Sequence, residues 1–385
     1  MGLKATFMRE LRRLTGRPIY LCMMIGVPIV CAWFLTSLLD NGLPIKVPTA
    51  VVDLDNSTLS HQMIANLDAM QLIDVKYRYD SYHDAVEGIK SGDIYGFFMI
   101  PDDFERNAIA SHSPTITYYC NMAFYIPGTL SFKGFKTIAV STSGGVVSMQ
   151  LLSEGVDEGQ IGGLIQPLAI QDHPIGNPWT DYAIYLCNSF VPGVLALMIM
   201  LVTVFAICEE IKRGTSVEWI ETAHGSIVVA LLGKMLPHTL VFSIVGVFLQ
   251  SLLFGYCQFP LNGSMWVMVG AMVMFVVACQ ALALLVCSIF PNLRFALSVV
   301  SLLGVLSFSI TGFSFPIENM YGAVAIFSYI VPVRYYFLIY IDQALNGILP
   351  YYSRYYFMAL AIFPLLATTM LWRLKKACVK PVYLP

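Results

Sequence analysis

The sequence has little charge, and long stretches of it have none. Only 12% of its 385 residues are charged, whereas 57% are hydrophobic, and the mean hydropathy is +0.70. A soluble domain has about 25% charged residues on average, so this composition excludes a protein that is soluble throughout. The net charge of −2 gives no sign of a nucleic-acid partner.

Signatures of metal sites and disulfides are missing as well. The chain has no CxxC, no HExxH and no cluster of Cys and His, so we expect no metal site. Its nine cysteines are scattered, and Cys120 alone falls clearly within the charged middle region. That distribution excludes a disulfide framework there.

A nucleotide-binding loop is also absent. Residues Leu231 to Lys234, LLGK, lack the earlier glycine and the following Ser or Thr of a Walker A motif. The apolar runs offer no converging set of titratable or nucleophilic groups. We therefore expect no ATP site, no cofactor and no catalytic residue in this chain.

Ionisable groups at membrane depth are too few for a proton- or sodium-driven carrier, which needs intramembrane acids or histidines. The nearest charges are expected at membrane edges, and they are Lys234, Glu318, Arg334 and Asp342. His238 is the one histidine at membrane depth. We expect it to hydrogen-bond to a neighbouring helix rather than to act in catalysis.

The apolar runs of about 20 residues are long enough to cross the ~30 Å hydrocarbon layer. They predict six transmembrane helices, at roughly 19–39, 183–208, 235–256, 265–290, 295–312 and 355–372. Lys and Arg cluster before the first span and after the last, which places both termini in the cytoplasm. Residues 1–18 form an amphipathic interfacial helix, because Leu3, Phe7, Leu11 and Leu14 share one face.

The region 40–182, between the first two spans, contains 17 of the 24 acidic residues. Strand-like alternation in TAVVDLD and IYGFFMI is interleaved with helical segments, the first capped by Asn56 or Ser57, which predicts an α/β domain. The segment 164–174 is expected to be extended. The positions of the spans place this domain outside the cytoplasm, in the periplasm.

The stretch EEIKRGTSVEWIETAHG (209–225) lies between spans 2 and 3 and predicts a short helix. Thr215 and Glu218 have the spacing of a capping box. Two interpretations of Trp219 and Ile220 are open. They form a small docking surface on the cytoplasmic side, or they belong to an interfacial loop whose tryptophan rests among lipid headgroups.

The segment between spans 5 and 6, about 313–334, is apolar but interrupted by Pro316, Gly322 and Pro332. A straight helix cannot span the membrane through such interruptions. We expect one or two short helices that dip into the outer leaflet.

The whole chain resembles the ABC-2 type permeases, the membrane subunits of ABC exporters. Within them it is similar to the multidrug-efflux branch, which has a large outer domain between spans 1 and 2. The resemblance lies in the order of five segments, namely FMRELRRLTGRP, PTAVVDLDNSTLS, IYGFFMIPDDFER, EEIKRGTSVEWIETA and LLGKMLP. The chain departs from the family pattern at Val217, Ala223 and Tyr321, where glutamate, proline and proline are usual.

This resemblance implies two sets of site residues. The first is a cytoplasmic coupling helix at about 214–224 that meets the ATPase, with Glu210, Gly214, Thr215, Glu218, Trp219, Ile220, Glu221 and Thr222. The second is the outer re-entrant segment, with Gly312, Pro316, Glu318, Met320 and Pro332.

The resemblance also implies partners. We expect a separate ABC ATPase that binds ATP and Mg²⁺, a second permease that is identical or a paralogue, and membrane lipids. A periplasmic adaptor and an outer-membrane channel are optional additions. The chain would lie in a bacterial inner membrane and export drugs or other hydrophobic or amphipathic compounds. Two alternatives stay open, a membrane-anchored receptor or adhesin with an outer ligand-binding domain, and a glycan or lipid export permease.

Overall fold

The structure is a computed structural model that describes residues 2–40, 42–168, 171, 173–178, 180–313 and 315–381. It contains two compact units. We call Met1–Gly42 with His173–Pro385 the helical unit, and Leu43–Asp172 the sheet unit.

The helical unit begins with two helices, α1 (Gly2–Gly16) and α2 (Pro18–Leu38). The amphipathic helix predicted for the N-terminus is present. Its buried face, however, consists of Gly2, Thr6, Glu10 and Leu14, while Leu3 and Leu11 are exposed. The exposed leucines suit a helix that lies on a membrane interface, and the face with small residues and one acid is turned towards the protein.

The sheet unit is built on four strands, β1 (Val47–Asp53), β2 (Ile73–Tyr79), β3 (Gly96–Ile100) and β4 (Thr117–Cys120). Their order is β2-β1-β3-β4, with β1 parallel to β2 and β3, and β4 antiparallel to β3. Five helices accompany them, α3 (Thr58–Asp68), α4 (Tyr82–Ser91), α5 (Phe104–Ile109), α6 (Tyr125–Ser153) and α7 (Glu158–Ile165).

Both faces of this sheet are covered, because successive side chains of β1 point in opposite directions. Val51 belongs to one core with residues of α3, β3 and α6, whereas Ala50 and Val52 belong to another with α4. Of the two candidate N-caps of α3, Ser57 fills the position, since its Oγ accepts from the Ser60 amide at 3.2 Å.

One local prediction for the sheet unit is only partly correct. The segment 164–174 was expected to be extended, but α7 continues to Ile165. Residues 166–168, 171, 173 and 174 are neither helical nor in a strand, and residues 169, 170 and 172 lie outside the described residues.

The second part of the helical unit contains α8 (Tyr182–Lys212), α9 (Ser216–Thr222), α10 (Ile227–Tyr256), α11 (Met265–Ile289), α12 (Leu293–Ile310), α13 (Gly322–Ile330), α14 (Pro332–Leu345), α15 (Arg354–Thr368) and α16 (Leu371–Val379). Among the described residues, five helices are long and apolar enough to cross a membrane, namely α2, α8, α10, α11 and α12. The number rises to as many as seven if the bent pairs α13–α14 and α15–α16 are each one span.

The predicted boundaries of two segments need correction. Helix α10 begins at Ile227, eight residues before the predicted start at 235, and Lys234, where the predicted span was taken to begin, is buried inside the unit. The predicted outer segment ended at 334, but α14 continues to Leu345. Helices α13 and α14 meet at an angle of 81°. Pro332 is the first residue of α14, where a missing amide hydrogen costs nothing.

Helix α8 is the centre of the helical unit, and α12 packs antiparallel against it. A Cβ atom at Gly193 would lie 2.2 Å from the Phe308 ring, and one at Gly304 would lie 2.5 Å from Leu197. Small residues at these two levels therefore allow the two helices to approach closely. The two ends of α8, Tyr182 and Lys212, are separated by the full length of a 31-residue helix.

Candidate functional site

The candidate site begins with two adjacent carboxylates at the Lys212 end of α8. Glu209 and Glu210 follow a long apolar sequence, and both are buried. Two buried carboxylates are costly to remove from water unless cations and hydrogen-bond donors surround them.

Arginines from α1 and the residue after it surround these carboxylates. Arg9 Nη1 lies 2.8 Å from Glu210 Oε1, and Arg13 Nη2 lies 2.7 Å from Glu209 Oε2. Arg13 also pairs with Glu210, and Arg17 Nη1 lies 2.6 Å from Glu209 Oε2. The N-terminal helix is thus attached to the end of α8 by paired charges, which guanidinium groups suit because of their planar fork of donors.

Helix α10 contributes a buried cation and a histidine. Lys234 Nζ lies 2.7 Å from Glu10 Oε2 and 2.9 Å from Glu210 Oε1. His238 Nε2 lies 2.9 Å from Glu10 Oε1, so the expectation that His238 bonds to a neighbouring helix is confirmed. Both carboxylate partners of Lys234 are buried with it, so this lysine faces the interior of the helical unit.

We call these groups the ion cluster, and its members are Arg9, Glu10, Arg13, Arg17, Glu209, Glu210, Lys234 and His238. Arg213 Nη2 also lies 2.8 Å from Glu209 Oε1, so five cations surround the three buried carboxylates. Burial alone would raise the pKa of the Glu10 carboxyl, but Lys234 and His238 outweigh it and lower that pKa from its ordinary 4.5 to about 2. Glu10 is therefore ionised at neutral pH, and it joins α1 to α10.

Close approach of α1 and α10 makes this geometry possible. A Cβ atom at Gly233 would lie 2.6 Å from the Thr6 Cβ atom, so a larger residue would separate the helices. The adjacent Lys234 can then reach Glu10, which lies one turn after Thr6 on the same face of α1.

The turn between α8 and α9 is fixed by Glu210. Gly214 has a φ of +71°, a conformation that favours glycine. The Thr215 hydroxyl donates to Glu210 Oε2, and the Thr215 amide donates to the Glu210 carbonyl at 3.0 Å. The predicted capping box between Thr215 and Glu218 is therefore wrong, since no side chain caps α9 and this hydroxyl already has a partner.

Helix α9 has two distinct faces. Ser216, Trp219, Ile220 and Ala223 are buried, at the spacing of one helical face. The exposed face carries Val217, Glu218, Glu221 and His224, while Thr222 is half-buried. The helix thus keeps one side against the protein and exposes the other, although Glu218 Oε1 on the exposed side lies 3.7 Å from Arg9 Nε of α1.

Trp219 and Ile220 do not project outward, which corrects the predicted docking surface. Trp219 is completely buried, its Nε1 donates to the Ala230 carbonyl at 3.2 Å, and Lys234 Nζ lies 4.9 Å above its ring. The Ser216 hydroxyl donates to the Cys378 carbonyl of α16 at 2.8 Å. These residues fasten α9 to the helical unit, because the tryptophan packs against α10 and the serine bonds to α16.

The second predicted set of residues lies at the other end of α8. Gly312 has a φ of +87°, and the neighbouring Thr311 carbonyl accepts from Arg334 Nη1 at 3.0 Å. Pro316 precedes a short helical turn, Ile317–Asn319, in which Glu318 is exposed, and Met320 is half-buried. The Phe313 ring stacks on Tyr185 at 4.3 Å between centroids, so this segment and the ion cluster do not form one site.

Sequence reasoning singled out Lys234 and His238 but missed that they pair with Glu10 and that the N-terminal arginines pair with Glu209 and Glu210. Glu10 is the one acid in a basic helix, and Lys234 lies in an otherwise apolar run, so each was a visible anomaly. The partner of each residue cannot be identified from the sequence, because the paired residues are up to 228 positions apart.

The apolar helices define the class of the chain, a polytopic helical membrane protein. A model of the family described as ABC-2 family transporter protein matches residues 18–373, and the chain belongs to this family. Membership implies a transport subunit, generally without catalytic activity of its own, that works with an ABC ATPase. A search of curated proteins gives no match.

Proposed function

We propose that the chain is the permease subunit of an ATP-driven exporter and that the exposed face of α9 receives the movement of a separate ATPase. The observation that carries this proposal is the two-faced α9. Trp219 and Ile220 fasten its inner face, whereas Val217, Glu218 and Glu221 are left uncovered.

The ion cluster gives this contact a mechanical consequence. Glu210 binds Thr215 at the start of α9, Arg9 of α1 and Lys234 of α10. A displacement of α9 therefore displaces α1, α8 and α10 together, since breaking a buried ion pair costs several kcal/mol, about 3–5. The spans of the permease therefore move as rigid bodies, and the movement is not confined to single side chains.

The chemistry of the exposed face specifies the partner surface. Val217 offers a small apolar contact beside the carboxylates of Glu218 and Glu221. The ATPase surface should present basic side chains around an apolar recess, because complementary charges at a rim speed and orient association. ATP and Mg²⁺ are bound by that partner, and this chain holds no cofactor.

Orientation follows from the basic residues. Both termini and α9 lie in the cytoplasm, and the sheet unit lies outside the inner membrane, which fits the Lys and Arg clusters at the two ends of the chain. Two permeases enclose the pathway between them. Leu302, Val305 and Leu306 of α12 are exposed and offer an apolar face for the second copy. The cargo is a drug or another hydrophobic or amphipathic compound.

Copurification tests the proposal. The full chain and a Glu218→Lys/Glu221→Lys variant are purified in mild detergent from cells at native ATPase levels, and bound proteins are identified by mass spectrometry. We expect an ABC ATPase with the wild type and at least about tenfold less with the variant, because both charges at the rim are reversed.

A matched control separates the site from the net charge. Glu154→Lys/Glu158→Lys makes the same charge change at two exposed acids of the sheet unit, and it should retain the ATPase in full. Equal ATPase recovery from all three proteins, or equal loss from both variants, would contradict the proposal.

A further inference from the structure

A cavity of about 550 Å³ lies between α16 and the ends of α8 and α11. Ile211 and Ser288 line it, and each is the last residue but one of its helix. Both helices are long and apolar enough to cross a membrane. The 25 residues of α11 extend roughly 37 Å, which exceeds the ~30 Å hydrocarbon layer, so the end of this helix lies at the level of the lipid headgroups.

Cations dominate the lining of this cavity. Arg373 and Lys376 belong to α16, and Lys380 follows it. All three residues are exposed. Among the described residues, no carboxylate lines the cavity and no ion pair involves any of the three. The Ser288 hydroxyl already donates to the Leu284 carbonyl at 2.8 Å, so the cavity offers a ligand mainly positive charge.

These cations differ from those of the ion cluster, where Lys234 and the arginines neutralise buried carboxylates. Arg373 Nη2 donates to the Ile289 carbonyl at 3.4 Å, which holds the guanidinium beside the end of α11 and leaves its other N–H groups to an external acceptor. A guanidinium binds two oxygens of one phosphate through its planar fork, and an ammonium adds a compact charge. The lining therefore suits a phosphate group.

The surroundings of the cavity favour a phosphate that is attached to acyl chains. Trp372 lines the cavity and is exposed, and tryptophan is enriched at the level of the headgroups. Ile362, Leu365 and Leu366 of the preceding α15 are exposed too, as expected of a helix surface that contacts acyl chains. A phospholipid would contact both the cations and these apolar side chains, whereas a free phosphate or an acidic protein surface would contact the cations alone.

We propose that this cavity binds the headgroup of an anionic phospholipid in the leaflet at the Lys212 end of α8, and that Arg373, Lys376 and Lys380 hold its phosphate. A singly charged lipid such as phosphatidylglycerol fits, because phosphatidylcholine would bring a fourth cation among these three. The inference rests on α8 and α11 crossing a membrane. It depends neither on the ATPase contact nor on the side of the membrane at which the termini lie.

Native mass spectrometry of the full chain in an uncharged detergent tests the site. Dioleoyl phosphatidylglycerol and dioleoyl phosphatidylcholine have the same acyl chains, and each is titrated separately while the first lipid adduct is quantified. We expect the wild type to bind phosphatidylglycerol at a concentration at least about tenfold lower, because basic residues near a membrane surface attract anionic lipids by about 1 kcal/mol each.

Two double variants separate the cavity from the net charge. Arg373→Gln/Lys376→Gln should weaken phosphatidylglycerol binding about 30-fold, the ratio for two basic residues at about 1 kcal/mol each. Arg12→Gln/Lys375→Gln also removes one arginine and one lysine, both exposed and outside the lining of the cavity. This control should retain the wild-type affinity.

The proposal is overturned if both double variants weaken lipid binding equally, or if the wild type binds the two lipids equally well. Sodium phosphate at the concentration of the lipid should not displace phosphatidylglycerol, and its displacement would show a site for free phosphate instead. Unchanged lipid binding by Arg373→Gln/Lys376→Gln, together with loss of the copurified ATPase, would assign these cations to the ATPase interface and would also overturn the proposal.

Discussion

The two units of the molecule use charge in opposite ways. The sheet unit has many charged residues, yet its ion pairs are short-range and exposed, as with Lys90 and Glu87 or Arg106 and Asp103, three residues apart. The helical unit has fewer charges for its length, yet its buried pairs join α1 to α8 across 201 residues and α10 to both of these helices. Charge lies mainly on the surface of the sheet unit, whereas in the helical unit it fixes how α1, α8 and α10 meet.

Removing one lysine from each unit should give the largest difference in the free energy of unfolding. Lys234→Met leaves Glu10 and Glu210 without their shared partner and should lower the free energy of unfolding by about 3–5 kcal/mol. Lys90→Met removes an exposed lysine and should not shift the midpoint. SDS-induced unfolding of the full chain in detergent, followed by circular dichroism, measures both. Equal midpoints for the two variants would contradict the contrast.

The two faces of α9 give the next comparison. Trp219→Ala empties space between α9 and α10 and should cost about 3–5 kcal/mol. Val217→Ala, on the exposed face, should leave stability unchanged but weaken ATPase recovery. Unfolding curves and copurification are measured on the same preparations. A stable Trp219→Ala protein that merely loses the ATPase would restore the docking role first predicted for the tryptophan.

Acid should weaken the ion cluster through Glu10. Because its folded pKa is about 2 and its ordinary value is 4.5, its contribution is complete above 4.5 and is lost as the pH falls towards 2. The contribution is worth about 3 kcal/mol, since one unit of pKa corresponds to about 1.4 kcal/mol. Glu10→Gln should therefore lose less stability than the wild type between pH 5 and 2.5. If the unfolding midpoints of the wild type and of Glu10→Gln changed in parallel with pH, ionised Glu10 would not stabilise the folded protein in this way.

The smallest expected effect is local to the sheet unit. Ser57→Ala removes the Oγ atom that accepts from the Ser60 amide and should cost about 1 kcal/mol. The sequence of the sheet unit, Leu43–Asp172, contains no tryptophan, so tryptophan fluorescence should not change, while amide exchange in α3 should accelerate. A shift of the tryptophan signal would show that the two units do not unfold separately.

The sequence predicted those features that depend on neighbouring residues. Apolar runs gave α2, α8, α11 and α12 to within a few residues at most ends, and alternation gave β1 and β3. The start of α10 was misplaced because Lys234 by itself indicates an edge, and only its pairing with Glu10 and Glu210 explains a buried lysine.

The candidate site was harder to predict for two physical reasons. A seven-residue helix such as α9 is too short for its pattern to decide whether Trp219 turns inward or outward. The partner that decides this is α10, where Ala230 and Lys234 contact the indole. The Thr215 hydroxyl could equally cap α9 or bind Glu210, and the fold of the chain at Gly214 selects the second.

Site-specific photo-crosslinking in intact membranes tests the central claim most directly. A photoreactive amino acid replaces Val217, on the exposed face of α9, and in a second protein Val228, which is exposed as the second residue of α10 and lies outside that face. We predict that the Val217 protein, and not the Val228 protein, crosslinks to an ABC ATPase identified by mass spectrometry. A crosslink of equal yield from Val228, or an ATPase captured from neither position, would contradict the claim that the exposed face of α9 receives the movement of the ATPase.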